Sequence, residues 1–194
     1  VRSDNQIAYF SPAGLGGFYA RAAIAPGEGV AGKKYYGARA GFANGPLDVS
    51  VTLGRTTVAP VNGQDQFKVF DIGASYDFGV AKVSSYYSQN KWLNVKVANS
   101  YVGVQVPVGR GLVRASYINS NLSGTTGGGV NTDGNDAHQI ALGYLYNLTK
   151  RTAIYTNVAH VTNKGNSAVA VDKNPTLVAG KNSTGFDLGL RHSF

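Results

Sequence analysis

Apolar and polar residues alternate along most of this chain with a period of two, which is the period of a β-strand. In the last segment Phe186, Leu188 and Leu190 fall on one face, whereas Asp187 and Arg191 fall on the other. Clusters of Gly, Asn and Pro separate segments of about ten such residues. The pattern predicts eleven strands, over residues 2–11, 16–25, 34–44, 47–57, 66–78, 80–90, 95–108, 111–120, 137–148, 151–162 and 184–194.

The links between these strands are predicted to alternate strictly between short and long. Short turns, in which Gly, Asn and Pro supply the required φ values, are predicted at residues 12–16, 44–46, 78–79, 109–111 and 148–150. Longer links are predicted at residues 26–33, 59–65, 122–136 and 163–182. Successive antiparallel strands reverse direction, so the short turns fall at one end of the strands and the long loops at the other. Outer-membrane barrels have this asymmetry, with the short turns in the periplasm.

Composition favours the same class of fold. The chain has twelve Tyr, eight Phe, 26 Gly and six Pro but no Cys or Met, a mixture rich in strand and turn formers. The absence of Cys excludes disulfides and thiolate metal sites. A spanning helix needs about 18 consecutive apolar residues, which are absent, whereas a spanning strand needs only about ten of alternating character. We therefore predict an all-β, antiparallel transmembrane β-barrel.

The net charge of +8 is compatible with nucleic acid, an anionic lipid surface or an anion pathway. The basic residues are scattered, and the longest runs are the pairs Lys33-Lys34 and Lys150-Arg151. A nucleic-acid binder would carry blocks or stripes of basic residues, so no nucleic-acid partner is predicted. Solvated rim charges, or charges that steer ions, are expected beside the long loops at Lys33, Lys34, Lys91, Lys164, Lys173 and Lys181.

Signals for catalysis or metal binding are weak. His138, His160 and His192 are separated and lack the spacing of metal ligands. The glycines at 127–129 precede no predicted helix, so they indicate a flexible loop rather than a phosphate-binding loop. No Ser/His or carboxylate cluster of the kind that catalysis requires is evident. We therefore predict no enzymatic activity, cofactor or metal.

A soluble β-sandwich also alternates, with one face in its core and one in water, so periodicity leaves that class open. The aromatic residues favour the membrane, because four of them lie near predicted short turns, at Tyr76, Phe78, Tyr144 and Tyr146. Aromatic side chains at strand ends would form a belt at the level of the lipid headgroups. The alternative interpretation is that these four are ordinary strand residues.

The C-terminal segment 185–194, Gly-Phe-Asp-Leu-Gly-Leu-Arg-His-Ser-Phe, resembles the closing strand of Gram-negative general porins of the β-proteobacterial type, which end in an aromatic residue. Residues 2–12, 78–82 and 138–152 show the same likeness, which spans essentially the whole chain. The resemblance implies a trimeric, 16-stranded, water-filled barrel in the outer membrane of a Gram-negative bacterium, with Phe194 as its membrane-insertion signal. It also implies outer-membrane lipid and lipopolysaccharide as surroundings, and small hydrophilic solutes and anions as cargo.

The chain departs from the implied barrel in its number of strands. Eleven is fewer than sixteen, and bacterial barrels have an even number. Val1 is preceded by neither Met nor a signal peptide, which indicates a processed or truncated chain. Since the last strand ends at the periplasmic side, counting backward matches the first strand here to the sixth of the family. We expect residues 1–194 to form a single partial barrel domain that lacks the N-terminal strands and the constriction loop.

The resemblance implies that the working groups are charged side chains on the inner wall. The alternation places six basic residues there, at Arg2, Arg21, Arg39, Lys82, Arg114 and Arg191. Five acidic residues share that face, at Asp4, Asp48, Asp71, Asp77 and Asp187, which leaves a wall charge of about +1. Any strong anion preference would therefore depend on where the charges sit, on the loops or on the missing strands.

Arg2 is the leading candidate for the constriction, because its place before Asp-Asn-Gln-Ile-Ala-Tyr resembles that of the family's arginine opposite the infolded loop. Arg21 and Arg39, near mid-strand on adjacent strands, are its predicted neighbours, with Asp4 close in sequence. The alternative for each arginine is an ion pair with a nearby aspartate.

The predicted function is passive diffusion of small hydrophilic solutes and ions, with a mild preference for anions. The main alternative is a closed or plugged outer-membrane barrel with a structural or adhesive role. Small and charged inward residues favour the open pore, since a closed barrel fills its interior with bulky side chains. An outer-membrane enzyme and a soluble β-sandwich binding module are the remaining alternatives.

Overall fold

The computed structural model describes residues 5–30, 34–61, 63–172 and 177–194. Alternating β-branched, aromatic and small residues form strands there, namely β1 (Ile7–Phe10), β2 (Phe18–Ala25), β3 (Tyr35–Asn44), β4 (Leu47–Val61), β5 (Gln64–Asp77), β6 (Lys82–Trp92), β7 (Val95–Val108), β8 (Gly111–Gly124), β9 (Ala137–Asn147), β10 (Thr152–Asn163) and β11 (Ser183–His192). A search of the same residues for a helix long and apolar enough to cross a membrane found none.

The strands follow one another in the sheet in chain order, with β1 and β11 at the two edges of that order. The pairs β1–β2, β2–β3, β3–β4, β8–β9, β9–β10 and β10–β11 are antiparallel. Each predicted strand is present, so the all-β antiparallel prediction is confirmed. The start predicted for the first strand, residues 2–4, lies outside the described residues.

The predicted strict alternation of short and long links is wrong. Strand β4 continues to Val61 and β5 begins at Gln64, so the link predicted over 59–65 shrinks to positions 62 and 63. Strands β6 and β7 are joined just as tightly, through residues 93 and 94. Four β-branched residues near the end of β4, Thr56, Thr57, Val58 and Val61, favour extended backbone and therefore lengthen the hairpin at the expense of the loop. Long links remain between β2 and β3, β8 and β9, and β10 and β11.

Two compact units are distinguished by the contacts within the chain. The first comprises residues 1–75, 86–99 and 122–133, and so contains β1 to β4 with parts of β5, β6 and β7. The second comprises residues 76–85, 100–121 and 134–194, and contains β9 to β11 with most of β8.

One face of the sheet is apolar and exposed. In the second unit Leu142 is 52% exposed, Phe186 72% and Leu188 72%, although a soluble domain of this size would bury most such side chains. Among the described residues the buried apolar side chains are Ala25, Ala137, Ala153 and Val161. The large apolar side chains therefore face outward from the sheet, as lipid-facing residues of a barrel do. We call this the apolar face and its opposite the polar face.

Aromatic rings meet in pairs near the short turns. The rings of Tyr76 and Phe78 lie 4.6 Å apart at the β5–β6 turn, and those of Tyr144 and Tyr146 lie 6.4 Å apart where β9 ends. The guanidinium of Arg110, in the β7–β8 turn, lies 5.8 Å from the Tyr146 ring. These contacts agree with the placement expected of an interfacial belt.

Candidate pore-lining site

Cross-strand register in the first unit builds rows of residues across the polar face of β2, β3 and β4. One row contains Arg21, Arg39 and Thr52, because Arg39 is the Cα partner of both of the others. The next row contains Tyr19, Gly41 and Ser50. Side chains that are directly opposite one another across an antiparallel pair point to the same side of the sheet. The two predicted arginines are thus direct neighbours.

Arg39 is braced by hydroxyl groups from the adjacent row. Its Nη2 donates to the Tyr19 hydroxyl oxygen at 3.2 Å and to Ser50 Oγ at 3.1 Å. The Tyr19 hydroxyl in turn donates to Asp48 Oδ1 at 2.7 Å. The Arg39 guanidinium also lies 5.3 Å from the centre of the Tyr19 ring, within cation–π range. Asp48, one of the aspartates predicted on this face, therefore connects to Arg39 through a tyrosine hydroxyl.

Tyr19 occupies this position because a glycine faces it. A Cβ atom on Gly41 would overlap the end of the Tyr19 ring, so only the absence of a side chain lets the ring lie across β3. Packing of an aromatic ring over a cross-strand glycine is a known way of stabilising strand glycines. The same arrangement recurs in the second unit, where the Tyr155 ring covers Gly189.

A concave depression of about 380 Å³ opens on the polar face beside this network. Two polar atoms at its wall, Arg39 Nε and Asp71 Oδ1, are shielded from solvent and have no hydrogen-bond partner in the described part of the chain. Shielded polar atoms without partners are costly unless a water or solute atom satisfies them. The depression is lined by Arg39, Asp48, Ser50, Thr52, Asp71, Gly73, Ala74, Ser75 and Tyr86.

Arg21 has a different environment from Arg39. Its guanidinium lies 5.2 Å from the centre of the Phe10 ring, whose residue is the cross-strand partner of Arg21 on β1. Phe10 is itself 60% exposed, so this ring supports the arginine without enclosing it. The row therefore contains one guanidinium that is fixed by hydrogen bonds, that of Arg39, and a more exposed one, that of Arg21.

The other predicted site residues lie elsewhere. Lys82, Arg114 and Arg191 belong to the second unit and are exposed, on β6, β8 and β11 respectively. Two of the predicted acidic residues accept hydrogen bonds from nearby groups of the sheet and its turns. Asp77 Oδ1 accepts a hydrogen bond from the Gly79 amide in the β5–β6 turn. The other, Asp187, accepts from Asn157 Nδ2 on β10 at 2.7 Å.

Three predictions fall at the beginning or end of the sequence. Arg2 and Asp4 lie outside the described residues. Phe194 is fully exposed, and its ring meets that of His192 edge-on at 5.0 Å.

Sequence reasoning missed Tyr19 and Ser50 as parts of the site. Both are in phase with charged residues, since Tyr19 is two positions before Arg21 and Ser50 is two positions after Asp48. That phase was the available signal, because residues i and i+2 of a strand share a face.

The chain is similar in sequence to porins of Gram-negative bacteria. A sequence profile for Gram-negative porins matches residues 1–166. The chain is 33% identical, over an alignment of 210 residues, to outer membrane porin protein 32 of Delftia acidovorans. That alignment covers 100% of this chain and 57% of the relative, in the relative's C-terminal part.

Solved structures give the same result. An anion-selective porin from Comamonas acidovorans matches with a TM-score of 0.83 and 33% identity, over 99% of this chain and 60% of that one. OmpT of Vibrio cholerae matches with a TM-score of 0.67 and 16% identity, over 96% of this chain and 64% of that one. OmpF of Salmonella typhi matches with a TM-score of 0.63 and 14% identity, over 96% of this chain and 61% of that one. The last two likenesses show the fold alone, and the chain spans about three fifths of the length of these proteins.

Proposed function

We propose a passive diffusion pore, from the premise that this chain belongs to the Gram-negative porin family. It is a protein of the bacterial outer membrane, and its relatives are channels rather than enzymes. In the proposal, small hydrophilic solutes and ions cross the membrane along the polar face of the sheet, without covalent chemistry and with a mild preference for anions.

Small residues on the polar face support an open passage. In the first unit, Gly37 pairs with Gly54 and Gly41 with Ser50, in the rows on either side of the Arg39 row, and tyrosine rings cover Gly37 and Gly41. A lumen that is filled by its own side chains needs bulky inward residues at such positions. The depression beside Arg39, lined also by Ser50, Thr52, Gly73 and Ser75, leaves about 380 Å³ for water and solute.

The row of Arg21 and Arg39 is the observation that carries the preference for anions. The two positive groups adjoin on the polar face, and Arg39 is held in place by Tyr19 and Ser50. Asp48 and Asp71 line the same region, so the local charge is nearly balanced and the preference is expected to be mild. The relative from Comamonas acidovorans is described as anion-selective, which agrees with this direction.

Further wall charges complete the proposed pathway. Arg2 and Asp4 are assigned to the constriction by resemblance alone, whereas Lys82, Arg114 and Arg191 are assigned as exposed wall charges of the second unit. Replacement of Arg2 with Ala or Glu is expected to shift ion selectivity toward cations. Unchanged selectivity would remove Arg2 from the constriction.

Assembly forms part of the proposal. We assign residues 1–194 to a single partial barrel domain, completed by strands and a constriction loop equivalent to those of the N-terminal part of the relatives, and three such barrels to a homotrimer. One Vibrio cholerae OmpT structure is described as a trimer form. Phe194 is proposed as the insertion signal, so its deletion should lower the amount of folded protein in the outer membrane, whereas His192→Ala should not.

The experiment that tests passage is single-channel recording on the native protein, isolated from outer membranes and added to a planar lipid bilayer. Stepwise currents, together with swelling of liposomes in small sugars, are expected of an open pore. A correctly folded protein that gives neither would contradict the pore and favour the closed or plugged barrel.

A further inference from the structure

The depression beside Arg39, on the polar face of the first unit, is lined by polar groups of several kinds. Its lining contains one guanidinium, that of Arg39, and two carboxylates, those of Asp48 and Asp71. It also contains the hydroxyl groups of Tyr86 and of three serine or threonine residues. With one positive and two negative groups the lining has a formal charge of −1, so it exerts no net attraction on a bound anion.

Arg39 cannot pair with a carboxylate at two points in this arrangement. Its Nη2 donates to Tyr19 at 3.2 Å and to Ser50 at 3.1 Å, which uses both N–H groups of that atom. Each fork of a guanidinium, Nε with Nη2 or Nη1 with Nη2, includes this atom, and bidentate pairing needs a complete fork. Arg39 Nε is shielded from solvent and has no hydrogen-bond partner among the described residues. It therefore remains as a lone N–H donor at the wall of the depression.

Asp71 provides the complementary acceptor. The Tyr86 hydroxyl is within hydrogen-bonding reach of the Asp71 carboxylate, yet Oδ1 is shielded and has no partner in the described part of the chain. Because neither Arg39 Nε nor Asp71 Oδ1 is open to bulk water, a group that satisfies either atom must enter from the depression and be as small as a water molecule. A carboxylate only accepts hydrogen bonds and an ammonium only donates them, whereas a hydroxyl does both. A solute with several hydroxyl groups therefore matches the two atoms together.

The size and surface of the depression suit a single sugar ring. Its volume of about 380 Å³ lies near the lower end of the range of about 300–1,000 Å³ that is typical of small-molecule sites. Tyr86 is 43% exposed, so part of its ring is available to pack against the C–H groups of a sugar. Ser50, Thr52 and Ser75 add hydroxyl groups that can donate to a sugar or accept from it.

We propose that this depression binds a neutral polyhydroxy solute, a monosaccharide, on the wall of the pore. One sugar hydroxyl accepts a hydrogen bond from Arg39 Nε, and another donates to Asp71 Oδ1. The site rests on the proposed diffusion pore and deepens it, because it adds a saturable binding step that passive diffusion does not require.

Two measurements separate binding from passage. Saturation-transfer difference NMR of D-glucose, with the native protein in a detergent that has no sugar headgroup, reports binding whether or not the protein conducts. Single-channel currents in a planar bilayer report passage, and they should fall saturably as D-glucose is added, beyond the fall in conductivity of the solution itself. A protein that conducts but gives no saturable glucose signal in either measurement would overturn the sugar site and leave the pore standing. A protein that binds glucose without conducting would overturn the pore alone.

Substitution of Asp71 tests the assigned contact. Asp71→Ala should weaken glucose binding roughly tenfold, since a hydrogen bond to a charged group is lost. Asp71→Asn keeps an acceptor oxygen and should weaken it only about threefold, as for loss of the charge assistance. The matched control is Asp187→Ala, which removes the same charge from the polar face of the second unit and should bind glucose as the parent does. Equal losses in Asp71→Ala and Asp187→Ala would overturn the proposal.

Other small solutes identify the recognised chemistry. Fully methylated glucose has no hydroxyl donor and should give no saturable signal. Glycine, which carries both charges, and methylammonium, which carries only the positive one, should not displace D-glucose from the native protein. Displacement by glycine or by methylammonium as effective as that by unlabelled glucose would reassign the depression to an amino acid or an amine, and would overturn the sugar assignment.

A second variant guards against misfolding. If Asp71→Ala does not show the electrophoretic mobility of the folded barrel, Ser75→Leu takes its place, because it fills the depression with an apolar side chain and changes no charge. Folded Ser75→Leu protein should lose the glucose signal. Glucose binding by that variant at the affinity of the parent would place the sugar elsewhere and overturn the proposal.

Discussion

Arg21 and Arg39 face each other as direct Cα partners across β2 and β3. Like charges in this relationship destabilise a sheet. Each guanidinium is offset by its own support, Arg21 by the ring of Phe10 and Arg39 by Tyr19 and Ser50. The sheet thus tolerates two adjacent cations on its polar face, and this is the arrangement that a passing anion would meet.

Replacing Tyr19 with Phe tests the hydrogen bonds of the tyrosine hydroxyl that hold the Arg39 side chain in place. The change removes the hydroxyl that accepts from Arg39 and donates to Asp48, but keeps the ring. We expect the free energy of unfolding to fall by about 1–2 kcal/mol, since one charge-assisted hydrogen bond is lost on each side. Urea unfolding in lipid vesicles measures it, and Tyr9→Phe, on the apolar face of β1, is the control. A loss of unfolding free energy no larger than that of the control would contradict the stabilising role of the Tyr19 hydroxyl.

Replacing Gly41 with Ala tests whether the absence of a side chain at this position allows the Tyr19 ring to lie across β3. The new methyl group would overlap the Tyr19 ring and displace it from Arg39 and Asp48. The expected cost is about 1–3 kcal/mol, as for other overpacked sites. At Gly54, on β4, a Cβ would lie 3.5 Å from that of Val69, an ordinary contact, so Gly54→Ala should be neutral or stabilising by up to about 1 kcal/mol. Equal effects of the two alanines would refute the role given to Gly41.

Replacing Leu142 with Arg tests which face meets lipid. Leu142 is on the apolar face of β9, and Gln139 on the polar face of the same strand. Arginine at a lipid-facing position should reduce the free energy of unfolding by roughly 2–4 kcal/mol. Gln139→Arg should cost less than about 1 kcal/mol, as surface changes usually do. Unfolding titrations in vesicles compare the two, and a reversed order would mean that the faces have been assigned the wrong way round.

The strands could be predicted from sequence because their two faces meet different surroundings, so that alternation persists over each whole strand. The ends of the strands could not be predicted in the same way. Thr56–Val61 is rich in β-branched residues, yet its own Pro60 and the Asn-Gly pair that follows it in the sequence also suited a loop, and only pairing with β5 decides between them. Local sequence does not contain that long-range information.

The site was predictable in part for a similar reason. Alternation placed Arg21 and Arg39 on one face, but their direct opposition depends on the register between β2 and β3. The same register sets Tyr19 against Gly41, which lets the tyrosine hydroxyl reach Arg39. Likewise Lys91 was expected as a rim charge, whereas its grouping with Arg55 and Lys68 appears only when the strands are placed side by side.

The reversal potential of the native protein, recorded in a planar bilayer under a potassium chloride gradient, measures directly whether the arginine row of a water-filled pore favours anions. We predict a potential that favours chloride over potassium. Arg39→Gln should lower that preference by up to roughly fivefold, because a unit charge about 4 Å away in water contributes about 1 kcal/mol. Arg55→Gln, an equal loss of charge on the apolar face, should leave it unchanged. A native potential that favours potassium, or equal shifts in the two variants, would contradict the role given to the arginine row.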